Sequence, residues 1–169
     1  SSANPYLKVI NNDIYSKNGK VLYSVASTKT KYKVRKSVKE IEDGAFYKND
    51  SIKSIYLPDS VKEIGEEAFG DMENLQSIRF SRSISELDYA MFNKCKKLKT
   101  VKLPKRIQTI CGNFGGKKNC YLKKIYINAV NLKKSNLKSL PKKCKVYVKS
   151  KNVKNQVKKA GFKGKVIIR

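Results

Sequence analysis

The sequence predicts an α/β repeat solenoid that is β-rich, with a parallel sheet, short helices between the strands and a distinct unit at each end. Three observations predict it. First, apolar columns recur every 23 residues: Val34, Leu57, Phe80 and Leu103 head successive units, and Val38/Val61/Ile84/Ile107, Ile41/Ile64/Leu87/Ile110, Phe46/Phe69/Phe92, Ile52/Leu75/Leu98 and Ile55/Ile78/Val101 follow in register. A fixed period of this size marks a supersecondary unit that buries its apolar face only by stacking on its neighbours. Second, each unit boundary alternates with period two, as in Lys53-Ser54-Ile55-Tyr56-Leu57, the pattern of a half-buried strand. Third, Ala68, Phe69, Met72 and Leu75 fall on one helical face, and Met91, Phe92, Cys95 and Leu98 repeat the spacing.

Residues 6–30 lack the repeat. Ile14-Tyr15 and Leu22-Tyr23 flank Asn18-Gly19, which tolerates the two positive φ angles of a type I′ turn, so a hairpin is expected with Tyr15 opposite Leu22 and Ile14 opposite Tyr23. It reads as an N-terminal cap. Residues 31–127 hold four repeats, whose strands point Tyr32/Val34, Ile55/Leu57, Ile78/Phe80, Val101/Leu103, Ile125/Ile127 and, further on, Val146/Val148 inward. Pro58 and Pro104 end their strands because proline cannot donate to a ladder. A second short extended piece is expected around residues 61–64. From Cys111 to Tyr121 the pattern fails, and Gly112, Gly115 and Gly116 predict an irregular loop; the register recovers at Leu122, one residue late. Residues 128–169 read as a divergent repeat followed by a C-terminal helix–strand cap. There Ser150 is the N-cap, Val153, Val157 and Ala160 share one helical face, Gly161 is the stop, and Val166-Ile167-Ile168 is the last strand. The whole chain, 1–169, is read as one domain.

The unit L-P-x-S-V-x-x-I-G-x-x-A-F-x-x-x-x-x-L-x-x-I, most complete at Leu57–Phe69 (LPDSVKEIGEEAF), resembles the BspA-type leucine-rich repeat. The third unit departs from it with Phe80-Ser81 in place of Leu-Pro, and the fourth breaks off after Ile110. The resemblance implies a right-handed superhelix, a bacterial surface or secreted protein, and a role in adhesion or host contact without catalysis. The chain begins at Ser1 rather than Met, so it reads as a mature or trimmed form whose secreted or cell-surface location is implied by the resemblance alone. A monomer is expected, and no apolar run approaches the roughly 20 residues that span a bilayer.

The formal net charge is +26, and its distribution is uneven. All 13 acidic residues lie between Asp13 and Asp88; residues 1–88 carry 14 Lys/Arg beside them, whereas residues 89–169 carry 25 Lys/Arg and no acid. Such a field attracts anionic polymers: wall polymer, glycosaminoglycan or nucleic acid. The alternative is a lysine-covered solvated surface, and the predominance of Lys over Arg suits it, since Arg is the residue of bidentate phosphate and base-edge contacts.

Catalysis has little to work with. The chain has no His, the commonest general base. The carboxylates Glu66, Glu67, Asp71 and Glu73 are expected on a solvated face. Cys95, Cys111, Cys120 and Cys144 show no metal-binding spacing, so no metal and no cofactor is expected. Cys95 shares a column with Met72 and reads as core, while Cys111 and Cys120 bracket the loop, with no disulfide pairing assigned. The expected site is the outward face of the sheet. One row reads Lys33, Tyr56, Arg79, Lys102, Tyr126, Tyr147, and its neighbour Lys31, Ser54, Ser77, Thr100, Lys124, Lys145. Tyrosine supplies contact area at low entropic cost and Lys/Arg supply attraction to acidic groups, so Lys33, Tyr56, Arg79, Lys102, Lys124, Tyr126, Lys145 and Tyr147 are the candidate partner-binding residues, for a host or cell-surface protein or glycan. Tyr and Thr also favour strands for their own sake, and Lys favours water.

Overall fold

The computed structural model describes residues 4–111, 114 and 121–169. They form a β-solenoid of about six turns, wound so that each period contributes one strand to a principal parallel sheet. That sheet runs β4 (Lys31–Lys33), β6 (Ser54–Tyr56), β8 (Ser77–Arg79), then β10 (Thr100–Leu103), β12 (Lys124–Ile127), β13 (Lys145–Val148) and β14 (Val166–Ile168). The strands pair as two ladders, β4-β6-β8 and β10-β12-β13-β14, with β8 lying beside β10. Lys33, Tyr56 and Arg79 are register partners, as the 23-residue period requires. Tyr126 pairs with Lys102, which places the recovery one residue late. Every residue expected inward is buried except Ile78, which is half-buried.

A second edge carries the shorter strands β5 (Glu40–Ile41), β7 (Glu63–Ile64), β9 (Glu86–Leu87) and β11 (Thr109–Ile110). The N-terminal unit joins this edge, not the principal sheet: β1 (Leu7–Ile10), β2 (Asp13–Ser16) and β3 (Val21–Ser24) form an antiparallel meander, and β3 pairs in parallel with β5. The hairpin differs from expectation in its turns. Tyr15 does face Leu22, but Ile14 faces Ser24, because only Gly19 has positive φ (71°) and a bulge interrupts the register. The turn with two positive φ angles is the preceding one, Asn11 (52°) and Asn12 (68°), between β1 and β2. Asparagine tolerates this region without glycine, so Asn-Asn there carries a turn signal that alternation alone does not show.

The unit is pinned to the first repeat by a buried carboxylate. Asp13 accepts from the amides of Ala26 (3.0 Å) and Ser27 (3.2 Å) and from the Tyr32 hydroxyl (2.5 Å), which lies 3.1 Å from that of Tyr15. Burial, and then the hydrogen bond to Asp13, raise the Tyr32 phenol above its ordinary range.

The short helices expected within the repeats are not formed. The segments around Phe46, Phe69 and Phe92 are successive turns, and two columns per repeat sit in the left-handed region: Gly44, Glu67 and Ala90 (φ 61°, 49°, 52°), and Lys48, Asp71 and Lys94 (60°, 56°, 54°). Two such residues per coil exclude an α-helix. The amides that a helix would satisfy internally reach the next coil instead: Gly44, Phe46 and Lys48 donate to the carbonyls of Glu66 (2.9 Å), Ala68 (2.9 Å) and Gly70 (3.0 Å). The helical spacing was real as a burial pattern, because Ala68, Phe69, Met72 and Leu75 all point into the core. Asp71, expected in solvent, is buried; its carboxylate accepts from Lys94 Nζ (3.0 Å) and the Tyr47 hydroxyl (3.3 Å).

The core is threaded by a column of rings, edge-on at Tyr32–Phe46 and stacked from Phe69 to Phe114. Tyr32–Phe46 and Phe46–Phe69 centroids are each 5.3 Å apart, Phe69–Phe92 5.9 Å and Phe92–Phe114 6.2 Å. Phe114 continues the column inside the segment where the repeat pattern fails; Gly112, Gly115, Gly116 and Cys120 of that segment lie outside the described residues. In the third unit Ser81, replacing proline, is fully buried and donates to the Val61 carbonyl (2.5 Å). After β13 comes α1 (Lys151–Lys159), the one helix among the described residues; Ser150 caps it by accepting from the Val153 amide (3.2 Å), and Gly161 follows at φ 90°.

Two stability measurements follow from this packing. Phe69→Ala removes a ring with no solvent exposure from the middle of the column and should cost about 3–5 kcal/mol; an unfolding midpoint that barely moves would mean that the rings do not hold the coils together. Glu67→Gly should stabilise by up to about 1 kcal/mol, since relieving a left-handed residue gains roughly 1–2 kcal/mol and the added backbone entropy of glycine takes back about 0.5–1. Chemical denaturation of both variants against the parent reads the two effects, and destabilisation by Glu67→Gly would refute the strain argument.

Candidate functional site

The strands of the principal sheet put every second side chain on its outward face, and parallel register aligns equivalent positions across the ladders. Lys33, Tyr56 and Arg79 become neighbours on β4, β6 and β8. Lys33 Nζ lies 5.3 Å and Arg79 Cζ 4.8 Å from the centroid of the Tyr56 ring, so the ring is held between cations from the two flanking strands. Lys102, Tyr126 and Tyr147 line up in the same way on β10, β12 and β13. Tyr126 and Tyr147 stack at 4.7 Å with 15° between their planes, and Lys102 Nζ approaches Tyr126 at 5.9 Å. Six of the eight expected site residues therefore form two cation–ring clusters in one row. Lys124 and Lys145 are cross-strand partners in the adjoining row, exposed, with Ser54, Ser77 and Thr100 continuing that row.

One participant escaped the sequence reading. The Arg169 guanidinium lies 4.5 Å from the Tyr126 centroid, and its Nη2 donates to Asn128 Oδ1 (2.8 Å) while Asn128 Nδ2 donates to the Leu103 carbonyl (2.8 Å). No spacing signals this, because Arg169 follows the last strand and belongs to no repeat column. Tyr6, Tyr47 and Tyr89, though well exposed, lie outside the row.

The twelve outward positions carry no carboxylate. Asp59 is bound by Arg82, whose Nε donates to Oδ2 at 2.7 Å, and this hydrogen bond holds the Asp59 carboxyl below its ordinary range. The acids gather on the other edge. Glu40 pairs in register with Glu63, and with Glu42, Asp43, Glu86 and Asp88 they line a cleft of about 460 Å³. Burial, then Glu42 and Glu63, raise the Glu40 carboxyl above its usual range. Cys111 donates its thiol to Glu86 Oε1 (2.8 Å) at the end of this edge, and burial together with that bond pushes it up to about 11. Such a thiol is protonated at neutral pH, and so is no nucleophile. Among the described residues no cluster of His, Cys, Asp or Glu could hold a metal. Cys95, expected in the core, is buried, with its thiol 3.0 Å from the Phe69 carbonyl.

The 23-residue period, the two-ladder sheet and the ring column converge on one family, and the model for the BspA-type leucine-rich repeat region matches residues 19–147 with six copies. The chain belongs to the BspA-type leucine-rich repeat family. Solved structures of similar fold include the pneumococcal vaccine antigen PcpA (22% identity, TM-score 0.72, covering 100% of this chain and 49% of that one). A leucine-rich cell surface protein from Faecalibacterium prausnitzii is 24% identical at a TM-score of 0.62, covering 98% of this chain and 40% of that one. The leucine-rich repeat protein of T. pallidum is 18% identical at 0.53, covering both chains completely. This repeat chain thus spans about half the length of PcpA and less of the second. Among curated proteins none matches it. No catalytic family is indicated, and no helix among the described residues is long and apolar enough to cross a membrane.

The thiol on the acidic edge provides a check on the site's electrostatics. In a Cys120→Ser background, with Cys95 and Cys144 buried, iodoacetamide should alkylate Cys111 at a rate still climbing about tenfold per pH unit at pH 9–10. Glu86→Gln should bring the levelling-off down while leaving it above about 8.5, the ordinary thiol value, because the burial remains. A parent profile that already levels off there would show that the Glu86 contact is absent.

Proposed function

We propose that this chain is a non-catalytic module of a secreted or surface-displayed bacterial protein, and that it binds a macromolecular partner through the outward face of the principal sheet. The observation that carries this reading is the row itself: Lys33–Tyr56–Arg79 and Lys102–Tyr126–Tyr147 stand in register on a face without carboxylates. Tyr and Arg are the side chains in which interface energy concentrates, and here each is held by its neighbour before a partner arrives. A solenoid suits the task because its repeats extend one surface strand by strand. The likeness to a cell surface protein supports the location. The meander at one end and α1–β14 at the other are read as caps, and the chain as a monomeric single domain.

A second reading, binding of an anionic polymer through the lysine-rich second half, is favoured by the 25 Lys/Arg and absence of acid in residues 89–169. The two readings separate by mutation and by salt. Fluorescently labelled protein should be retained on a fibroblast-deposited matrix, and Tyr56→Ala/Arg79→Ala should cut the affinity by about 30-fold or more, since each hot-spot truncation costs upward of about 2 kcal/mol. Lys97→Ala/Lys134→Ala, exposed and away from the row, removes two charges and should change little. Equal losses in the two double variants, together with steep elution from immobilised heparin by rising salt, would transfer the function to the polymer reading.

A further inference from the structure

The geometry of the row restricts what can lie on it. Tyr56 is covered by Lys33 on one side and Arg79 on the other, and Tyr126 by Tyr147, Lys102 and Arg169. A sugar ring binds an aromatic platform through an open face, and these rings have spent their faces on cations and on each other. What they leave outward is ring edges and hydroxyls beside ammonium and guanidinium groups. A guanidinium lying over a ring keeps its N–H edge free to fork onto a carboxylate. The adjoining row over β6, β8 and β10 is made of short hydroxyl side chains, Ser54, Ser77 and Thr100, which forms a low shelf beside Tyr56, Arg79 and Lys102.

Resting on the sheet-face reading, we infer that the occupant is an extended acidic polypeptide segment lying across the strands, its carboxylates on Arg79, Lys102 and Arg169 and its main chain over the hydroxyl shelf. A densely sulfated chain or a nucleic acid is the poorer fit, because the shelf interrupts the basic rows: between Lys31 and Lys124 its own row has three uncharged positions, with Arg79 and Lys102 the cations beside them, where such polymers carry a charge every few ångströms. The acidic cleft of Glu40, Glu63 and Glu86 repels the same segment from the opposite edge. A second copy of this chain is disfavoured as occupant by the net charge of +26.

The test uses a fluorescein-labelled peptide of six Glu-Thr pairs, its Gln-Thr counterpart and heparin, with anisotropy read on the full chain at physiological salt. The Glu-Thr peptide should bind at least tenfold tighter than the Gln-Thr peptide. Arg79→Lys, which keeps the charge and loses the planar fork, should weaken it several-fold while leaving heparin unchanged, and Tyr126→Ala should weaken it about tenfold. Each variant is first checked for the parent's unfolding midpoint, and Tyr126→Phe, which keeps the ring, should retain most of the Glu-Thr binding if Tyr126→Ala proves unstable. Equal binding of the two peptides, or none by either, overturns the inference. If in that case heparin binding still falls with Tyr56→Ala/Arg79→Ala and not with Lys97→Ala/Lys134→Ala, the sheet-face reading survives and the acidic-peptide inference alone fails. If the Glu-Thr peptide binds but both double variants lose equally, the sheet face itself is lost, and the inference with it.

Discussion

Each coil of this chain depends on the next for its backbone hydrogen bonds. Outside β1–β3 and α1, few amides find a partner in their own coil beyond a tight turn; Gly44, Phe46, Lys48, Leu57 and Gly65 all donate to a neighbouring period. A buried amide without a partner costs about as much as a lost hydrogen bond, so no coil is stable alone. The column Tyr32–Phe46–Phe69–Phe92–Phe114 answers the same requirement with apolar area, one ring per coil at close to the coil spacing. Side chains add to these backbone bonds outside the regular repeats: Asp13 gathers two amides and the Tyr32 hydroxyl, and Gln156 of α1 accepts from the Leu132 amide.

The same translation that builds the core builds the surface. A residue type repeated every 23 positions becomes a row, and rows of opposite charge are kept on different edges: Glu40, Glu63 and Glu86 on the short strands, Lys33, Arg79 and Lys102 on the principal sheet. Both rows set like charges side by side, which costs some stability. On the sheet that cost is offset where cations rest on tyrosine rings, and such contacts contribute about 0.5–1 kcal/mol each at exposed sites. Cations ordered in this way bring less entropy to be lost when a partner binds, which suits a recognition surface.

Membership of the repeat family and the likeness to surface proteins leave the partner to the chemistry of the row. No catalytic family is indicated, and the proposed recognition role rests on the two pre-packed cation–ring clusters on one face.

The sequence by itself determined the period, the strand registers, the inward residues and the six row residues that meet on the sheet, because all of these follow from translation by one repeat. It also placed Ser150 at the start of α1 and Cys95 in the core. It misread the segments around Phe46, Phe69 and Phe92 as helices, since a buried face with helical spacing also fits a chain of turns. What separates the two is where the amides go, and in this fold they go to carbonyls 22 positions away in the next coil. Tertiary structure alone decided the parallel pairing of β3 with β5, the Asp13 network, the extra ring at Phe114 and the placement of Arg169 over Tyr126. Each of these joins residues outside the repeat register, or across it by side-chain reach, and a periodic pattern carries information only about positions that share its period.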